Sequence, residues 1–132
     1  MFMRATIVGM ASGALIVGGG VAANAATTST QLSNGRLGFT AVDAASYGYP
    51  GSFMASTEYK KTGGSTVSVR LQMDVLNGVF GTQHAFQSVS AGGTVITQFG
   101  VISKAKYAPD CKATGMMLAD GKYYYTPTVR FC

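Results

Sequence analysis

The chain holds one histidine, His84, and five acids, Asp43, Glu58, Asp74, Asp110 and Asp120, so acid–base chemistry has few side chains to draw on. A Ser-His-Asp set can be assembled from His84, any acid and many serines, which makes it uninformative by itself. No Gly-x-Ser-x-Gly elbow surrounds a serine, and no His-Glu-x-x-His occurs. His84 falls in the run Val79 to Val89, on the face of Phe80 and Phe86, where a partly buried imidazole bonded to a neighbour accounts for it. Asp110 and Asp120 fall in turns, where aspartate bonds its own backbone, and Asp74 lies on the polar side of a strand. Two carboxylates converging on a sugar are not indicated. Zinc needs three or four His or Cys ligands and calcium a cluster of acids, and the sequence offers neither pattern. The expectation is a non-enzyme without metal or cofactor; a small hydrolase, with His84 in a cleft beside an acid and a hydroxyl, is the remaining catalytic alternative.

The last third of the chain points instead to binding. Lys104, Lys106, Lys112, Lys122 and Arg130 outnumber the acids there and interleave with Tyr107, Tyr123, Tyr124 and Tyr125. Alternation along one strand from Tyr123 to Phe131 sends Tyr123, Tyr125, Val129 and Phe131 to the core and Tyr124, Thr126, Thr128 and Arg130 outward. Flat aromatic surfaces beside basic groups stack on sugar rings and pair with acidic polymers. The plainer account is that tyrosine suits strands and lysine guards sheet edges. The candidate binding residues are Tyr124, Lys112 and Arg130, together with Tyr47 and Tyr49 in the irregular segment from Asp43 to Gly51. They suggest an extracellular binding module for carbohydrate, cell-wall polymer or a protein surface. The alternative is a secreted inhibitor or toxin-like, bacteriocin-type protein presenting Tyr47-Gly48-Tyr49-Pro50-Gly51 as a rigid loop. The formal net charge of +5 is a mild bias, and no nucleic-acid partner is expected.

Those side chains need strands to position them. Val67, Val69, Leu71, Met73 and Val75 alternate with Ser68, Arg70, Gln72 and Asp74, the pattern of a half-buried strand. Phe53, Ala55, Thr57 and Tyr59 alternate in the same way. The dipeptide Asn77-Gly78 predicts a two-residue hairpin turn leading into a strand from Val79 to Val89. Ser90-Ala91-Gly92-Gly93 turns the chain again, and apolar residues on both sides of Thr94 to Ser103 suggest a central, doubly covered strand. Cys111 to Leu118 and Tyr123 to Phe131 flank Asp120-Gly121, and Leu37 to Ala41 begins the domain. About seven or eight short strands separated by glycine turns predict an all-β fold, an antiparallel β-sandwich.

Met1-Phe2-Met3-Arg4, a long uncharged stretch and Ala23-Asn24-Ala25 have the form of a signal peptide, helical in its apolar part and cleaved after Ala25. Its only membrane role would be through that segment if it stayed uncleaved, and Gly9, Gly13 and Gly18-Gly19-Gly20 argue against a stable spanning helix. The expected organisation is residues 1–25 as leader, 26–34 as a flexible N-terminus and 35–132 as one β domain. Export places Cys111 and Cys132 in an oxidising compartment, where two cysteines are read as a disulfide.

Leu118-Ala119-Asp120-Gly121-Lys122-Tyr123 resembles the corner of immunoglobulin-like and fibronectin-like sandwiches, in which a tyrosine precedes a core strand. The resemblance implies a sandwich of that kind. The cysteine pair departs from it, because the immunoglobulin bridge joins the two sheets and this one ties neighbouring strands. A turn at Asp120-Gly121 leaves the two cysteines diagonal to each other, so a bulge or break near Pro127 is expected to bring them together.

Overall fold

The computed structural model describes residues 25–132 and, ahead of them, a two-residue antiparallel pair, β1 (Ile7–Val8) with β2 (Ala11–Ser12). Otherwise the expected leader lies outside the described residues. The pair is extended where a helix was expected, in keeping with the helix-weakening Gly9 and Gly13 beside it. No helix among the described residues is long and apolar enough to cross a membrane.

The domain is an antiparallel β-sandwich. One sheet runs in the order β3 (Ala26–Leu32), β4 (Gly35–Asp43), β5 (Ser52–Lys61), β9 (Thr94–Ser103). The other has β10 (Lys112–Ala119) and β6 (Val67–Val75) at its centre. On the outer side of β10 lie β11 (Lys122–Tyr125) and then β12 (Val129–Arg130). On the outer side of β6 lie β7 (Gly78–Phe80) and β8 (Gln87–Val89). A short 3-10 helix, Ala44–Tyr47, follows β4, and a one-turn helix, α1 (Lys104–Tyr107), follows β9.

Period-two alternation builds the core. Leu37, Phe39 and Ala41 of β4 and Phe53, Ala55, Thr57 and Tyr59 of β5 face Val69, Leu71, Met73 and Val75 of β6 and Ala113, Met117 and Ala119 of β10, all buried. The sheets come into close contact at Gly115, where a Cβ would stand 2.7 Å from that of Phe39. Only glycine leaves room there for the phenyl group. Thr57, buried among these side chains, donates its hydroxyl hydrogen bond across the sandwich to the Gln72 carbonyl at 2.9 Å.

Several expectations need correction. Residues 26–32, expected to be flexible, pair along their whole length with β4, because a strand rich in threonine fits a sheet edge. The turn after β6 is Leu76-Asn77 rather than Asn77-Gly78: Val75 pairs with Gly78. Asn77 is held by hydrogen bonds from its backbone N–H to Tyr107 O and from its side-chain amide to Lys106 O. The run from Val79 to Val89 breaks into β7 and β8, with residues 81–86 looping out between them. β9 is an edge strand, not a central one. Its apolar residues fall on both sides because the register shifts opposite Met54 and Ser56: Val95 and Thr97 pair with the inward Tyr59 and Thr57, and beyond the shift Ile102 pairs with the inward Phe53 while Val101 is exposed. The edge is partly covered, His84 stacking on Phe99 and the Gln87 amide lying 3.4 Å from the Thr97 hydroxyl.

Candidate functional site

The terminal hairpin decides which tyrosines can meet a ligand. Asp120 and Gly121 both take positive φ, 50° and 74°, and Ala119 pairs with Lys122, so the hairpin closes through the Asp-Gly turn. That register sets Met117 opposite Tyr124 and Met116 opposite Tyr125. Met117 points inward, and Tyr124 with it, half-buried against the core around Leu37, Tyr59 and Val69. Tyr123 and Tyr125 point outward, each 50% exposed. The faces that alternation from Tyr123 to Phe131 assigned to the three tyrosines are therefore reversed.

The reversal has a local cause. Ala113 pairs with Val129, one residue further along than the β11 register would bring it, so the chain between Tyr125 and Val129 holds an extra residue. The break falls at Thr126-Pro127-Thr128, where proline has no N–H to give the ladder. Thr126 bridges it: its backbone N–H donates to the Gly115 carbonyl and its hydroxyl accepts from the Gly115 N–H, both at 2.9 Å. Alternation restarts beyond the break, so Phe131 is also inward, stacked on Phe53 with ring centroids 4.5 Å apart. Cys111 and Cys132 are disulfide-bonded with their Cα atoms 5.5 Å apart, as expected from the sequence.

The outer face of the β10 sheet now assembles row by row. Tyr123, Leu118 and Arg70 are neighbours across three strands, and the Arg70 guanidinium lies 4.8 Å from the centre of the Phe86 ring, 48% exposed beyond it. Tyr125, Met116 and Gln72 form the next row. Thr114 and Asp74 follow, the Thr114 hydroxyl bonded to that of Thr128. Lys112 and Arg130, directly opposite each other and exposed, end the face. Tyr123 and Tyr125 run side by side along it, with centroids 6.5 Å apart. Gln72 is fully buried beneath this surface, and its amide nitrogen and oxygen, like Arg70 Nε, have no hydrogen-bond partner among the described residues.

Lys112 and Arg130 thus do share a face, but its aromatic members are Tyr123, Tyr125 and Phe86 rather than Tyr124. Phe86 was masked in the sequence by the assumption of one continuous strand through Val89. Tyr47 and Tyr49 are exposed on the loop between β4 and β5, at the end of the sandwich that also carries Lys112 and Arg130. They lie outside the paired rows that make up that face. Their loop is tied down by hydrogen bonds from Gly48 N to Ala45 O, Tyr49 N to Ala44 O and Lys104 N to Gly51 O.

His84 is exposed on the 81–86 loop rather than half-buried on a strand, its ring nearly parallel to that of Phe99 at 6.3 Å. Among the described residues no three His, Cys, Asp or Glu side chains gather as a metal site would require. No family model matches the chain, and neither a curated protein nor a solved structure matches it.

Proposed function

We propose that this chain is a secreted, non-enzymatic binding module that lays an anionic, sugar-containing polymer of the cell envelope along the outer face of its β10 sheet. The observation that carries the reading is the pair Tyr123 and Tyr125, half exposed and side by side on a flat sheet surface, continued by the Arg70–Phe86 stack. Aromatic faces of this kind take the apolar side of sugar rings or of any flat ligand. Lys112 and Arg130 at the far end, against Asp74 alone among the acids of the face, favour negative charge on the ligand. The disulfide fits an oxidising, extracellular setting.

Retention of the purified domain on insoluble polysaccharides and cell-envelope fractions tests the reading. Tyr123→Ala/Tyr125→Ala should release it, and Lys112→Ala/Arg130→Ala should weaken retention most at low salt, since exposed charges are screened as salt rises. Undiminished retention by the tyrosine pair variant would overturn the assignment of the face.

A second reading, an inhibitor acting through Tyr47-Gly48-Tyr49-Pro50-Gly51, is favoured by the hydrogen bonds that brace that loop while leaving both tyrosines exposed. In that case Tyr47→Ala/Tyr49→Ala, not the β11 variants, should abolish capture of a protein target.

A further inference from the structure

The opposite end of the sandwich carries a feature the proposed face does not use. β5 presents every second residue to the interior, Phe53, Ala55, Thr57 and Tyr59, and the series ends on a lysine, Lys61, only 2% exposed. The aliphatic stem accounts for that burial, whereas the ammonium at its tip is not among the fully buried polar atoms left without a partner, so it is the part of Lys61 open to a ligand. The backbone is fixed beside it, the N–H donating to Gly93 O at 3.0 Å and the carbonyl accepting from Gly92 N at 2.8 Å.

Lys61 lines a pocket of about 170 Å³ between the sheet ends, with Tyr59, Tyr124, Val69 and Met117 below and Asp120 in the exposed turn at its rim. That is room for about five waters, or for one small polar group with a few of them. Lys61, Tyr59 and Tyr124 bring an ammonium and two phenols to its lining, beside the apolar Val69 and Met117. The site is shaped around one phenol in particular: a Cβ at Gly35 would stand 2.6 Å from the Tyr59 hydroxyl oxygen, so glycine there leaves the space the phenol occupies. Burial, with a smaller contribution from Tyr124, pushes the Tyr59 phenol above its usual 10.0, so it remains a donor at neutral pH. Asp120 is the acid of the pocket and stands exposed in the turn at its rim, where water screens its opposing charge.

We propose that this end pocket binds a small oxyanionic group, a carboxylate or a phosphate monoester, with Lys61 as its counter-charge and the Tyr59 and Tyr124 hydroxyls as hydrogen-bond donors. The site is separate from the outer face. It would seat a free small anion, independently of any polymer on that face. A charge-assisted hydrogen bond from an ammonium is about twice as strong as a neutral one, which makes Lys61 the residue on which affinity depends.

The test is an amide-resolved NMR titration of the folded domain with sodium acetate, sodium phosphate and, as a cationic control, methylammonium chloride, all at constant ionic strength. Acetate or phosphate should shift the amides of Lys61, Gly92 and Gly93 saturably. Lys61→Met, which keeps the length of the stem and removes the charge, should weaken that response at least tenfold with the rest of the spectrum unchanged, and Lys61→Arg should retain most of it. Acetate as the stronger probe assigns a carboxylate, phosphate a phosphate ester. No saturable shift with either anion, an equal response in Lys61→Met, or a response to methylammonium alone would overturn the proposal. None of these outcomes bears on Tyr123 and Tyr125, so the two sites stand or fall apart.

Discussion

Asp43 accepts a hydrogen bond from Lys104 Nζ at 2.8 Å, joining the end of β4 to the start of α1 across 61 residues of sequence. The same carboxylate caps the 3-10 helix by accepting from Ala45 N at 3.0 Å. The Lys104 hydrogen bond foremost, then that from Ala45, holds the Asp43 carboxyl below its usual 3.8, against a smaller opposing effect of burial. A carboxylate with a lowered folded pKa stabilises the fold above its unfolded value and loses that contribution as pH falls through the folded one. Asp43→Asn should therefore lower stability by up to about 1 kcal/mol at pH 7, the upper range for a partly exposed pair. Thermal denaturation from pH 7 to pH 2 should show the difference from wild type closing below about pH 4. A difference that persists to pH 2 would assign the loss to packing instead.

Gly115→Ala tests the contact of the two sheets at Phe39. Its methyl group would meet the Phe39 Cβ at 2.7 Å and the ring carbons at 2.9 Å, so β4 or β10 must move. Overpacking of this kind costs about 1–3 kcal/mol. On a Phe39→Ala background, which removes the ring and leaves only the Cβ contact, Gly115→Ala should cost less than it does in wild type, and denaturant midpoints of the four proteins of the cycle measure the coupling.

The disulfide closes a loop of 21 residues around the terminal hairpin. Chain-entropy reasoning gives about 3 kcal/mol for its removal, through the freedom regained by the unfolded chain. Cys111→Ser/Cys132→Ser should unfold at correspondingly lower denaturant. Hydrogen exchange at Phe131, whose N–H donates to Cys111 O at 2.9 Å, should accelerate before exchange at Met117 does.

What could be read from the sequence was set by how regular each segment is. The inward series of β6, from Val69 to Val75, follows strict alternation and is buried as that alternation requires. The cysteine pair and the break near Pro127 were legible because a disulfide and a proline each impose a geometric condition. The tyrosine faces were not, because inserting one residue at the break reverses alternation on one side of it, and the inward Phe131 was a misleading anchor for Tyr123 and Tyr125. Lys61 was equally hidden: followed by Thr62-Gly63-Gly64-Ser65 it reads as the first residue of a loop between two strands, and only the facing sheet reveals that it continues the strand and points inward.

That reversal makes the strongest contrast available in the molecule, between neighbours of the same residue type. Tyr124 packs on Tyr59, Val69 and Met117, whereas Tyr125 lies over Met116 on the outer face with half its surface in water. Truncating a buried aromatic costs about 3–5 kcal/mol, and a half-buried one less, so Tyr124→Ala should lower stability by roughly 2–3 kcal/mol. Tyr125→Ala keeps its backbone pairing with Met116 and its carbonyl, which accepts from the Thr30 hydroxyl at 2.9 Å. Its cost should stay within about 1 kcal/mol, since half of its surface already lies in water and it fills no space in the core. In the polymer-retention assay the order should invert, with Tyr125→Ala the weaker binder and Tyr124→Ala close to wild type at temperatures where it remains folded. Equal stability losses would contradict the hairpin register set by the Asp120-Gly121 turn. Equal retention losses would contradict the assignment of ligand to the outer face, since only one of the two rings reaches it.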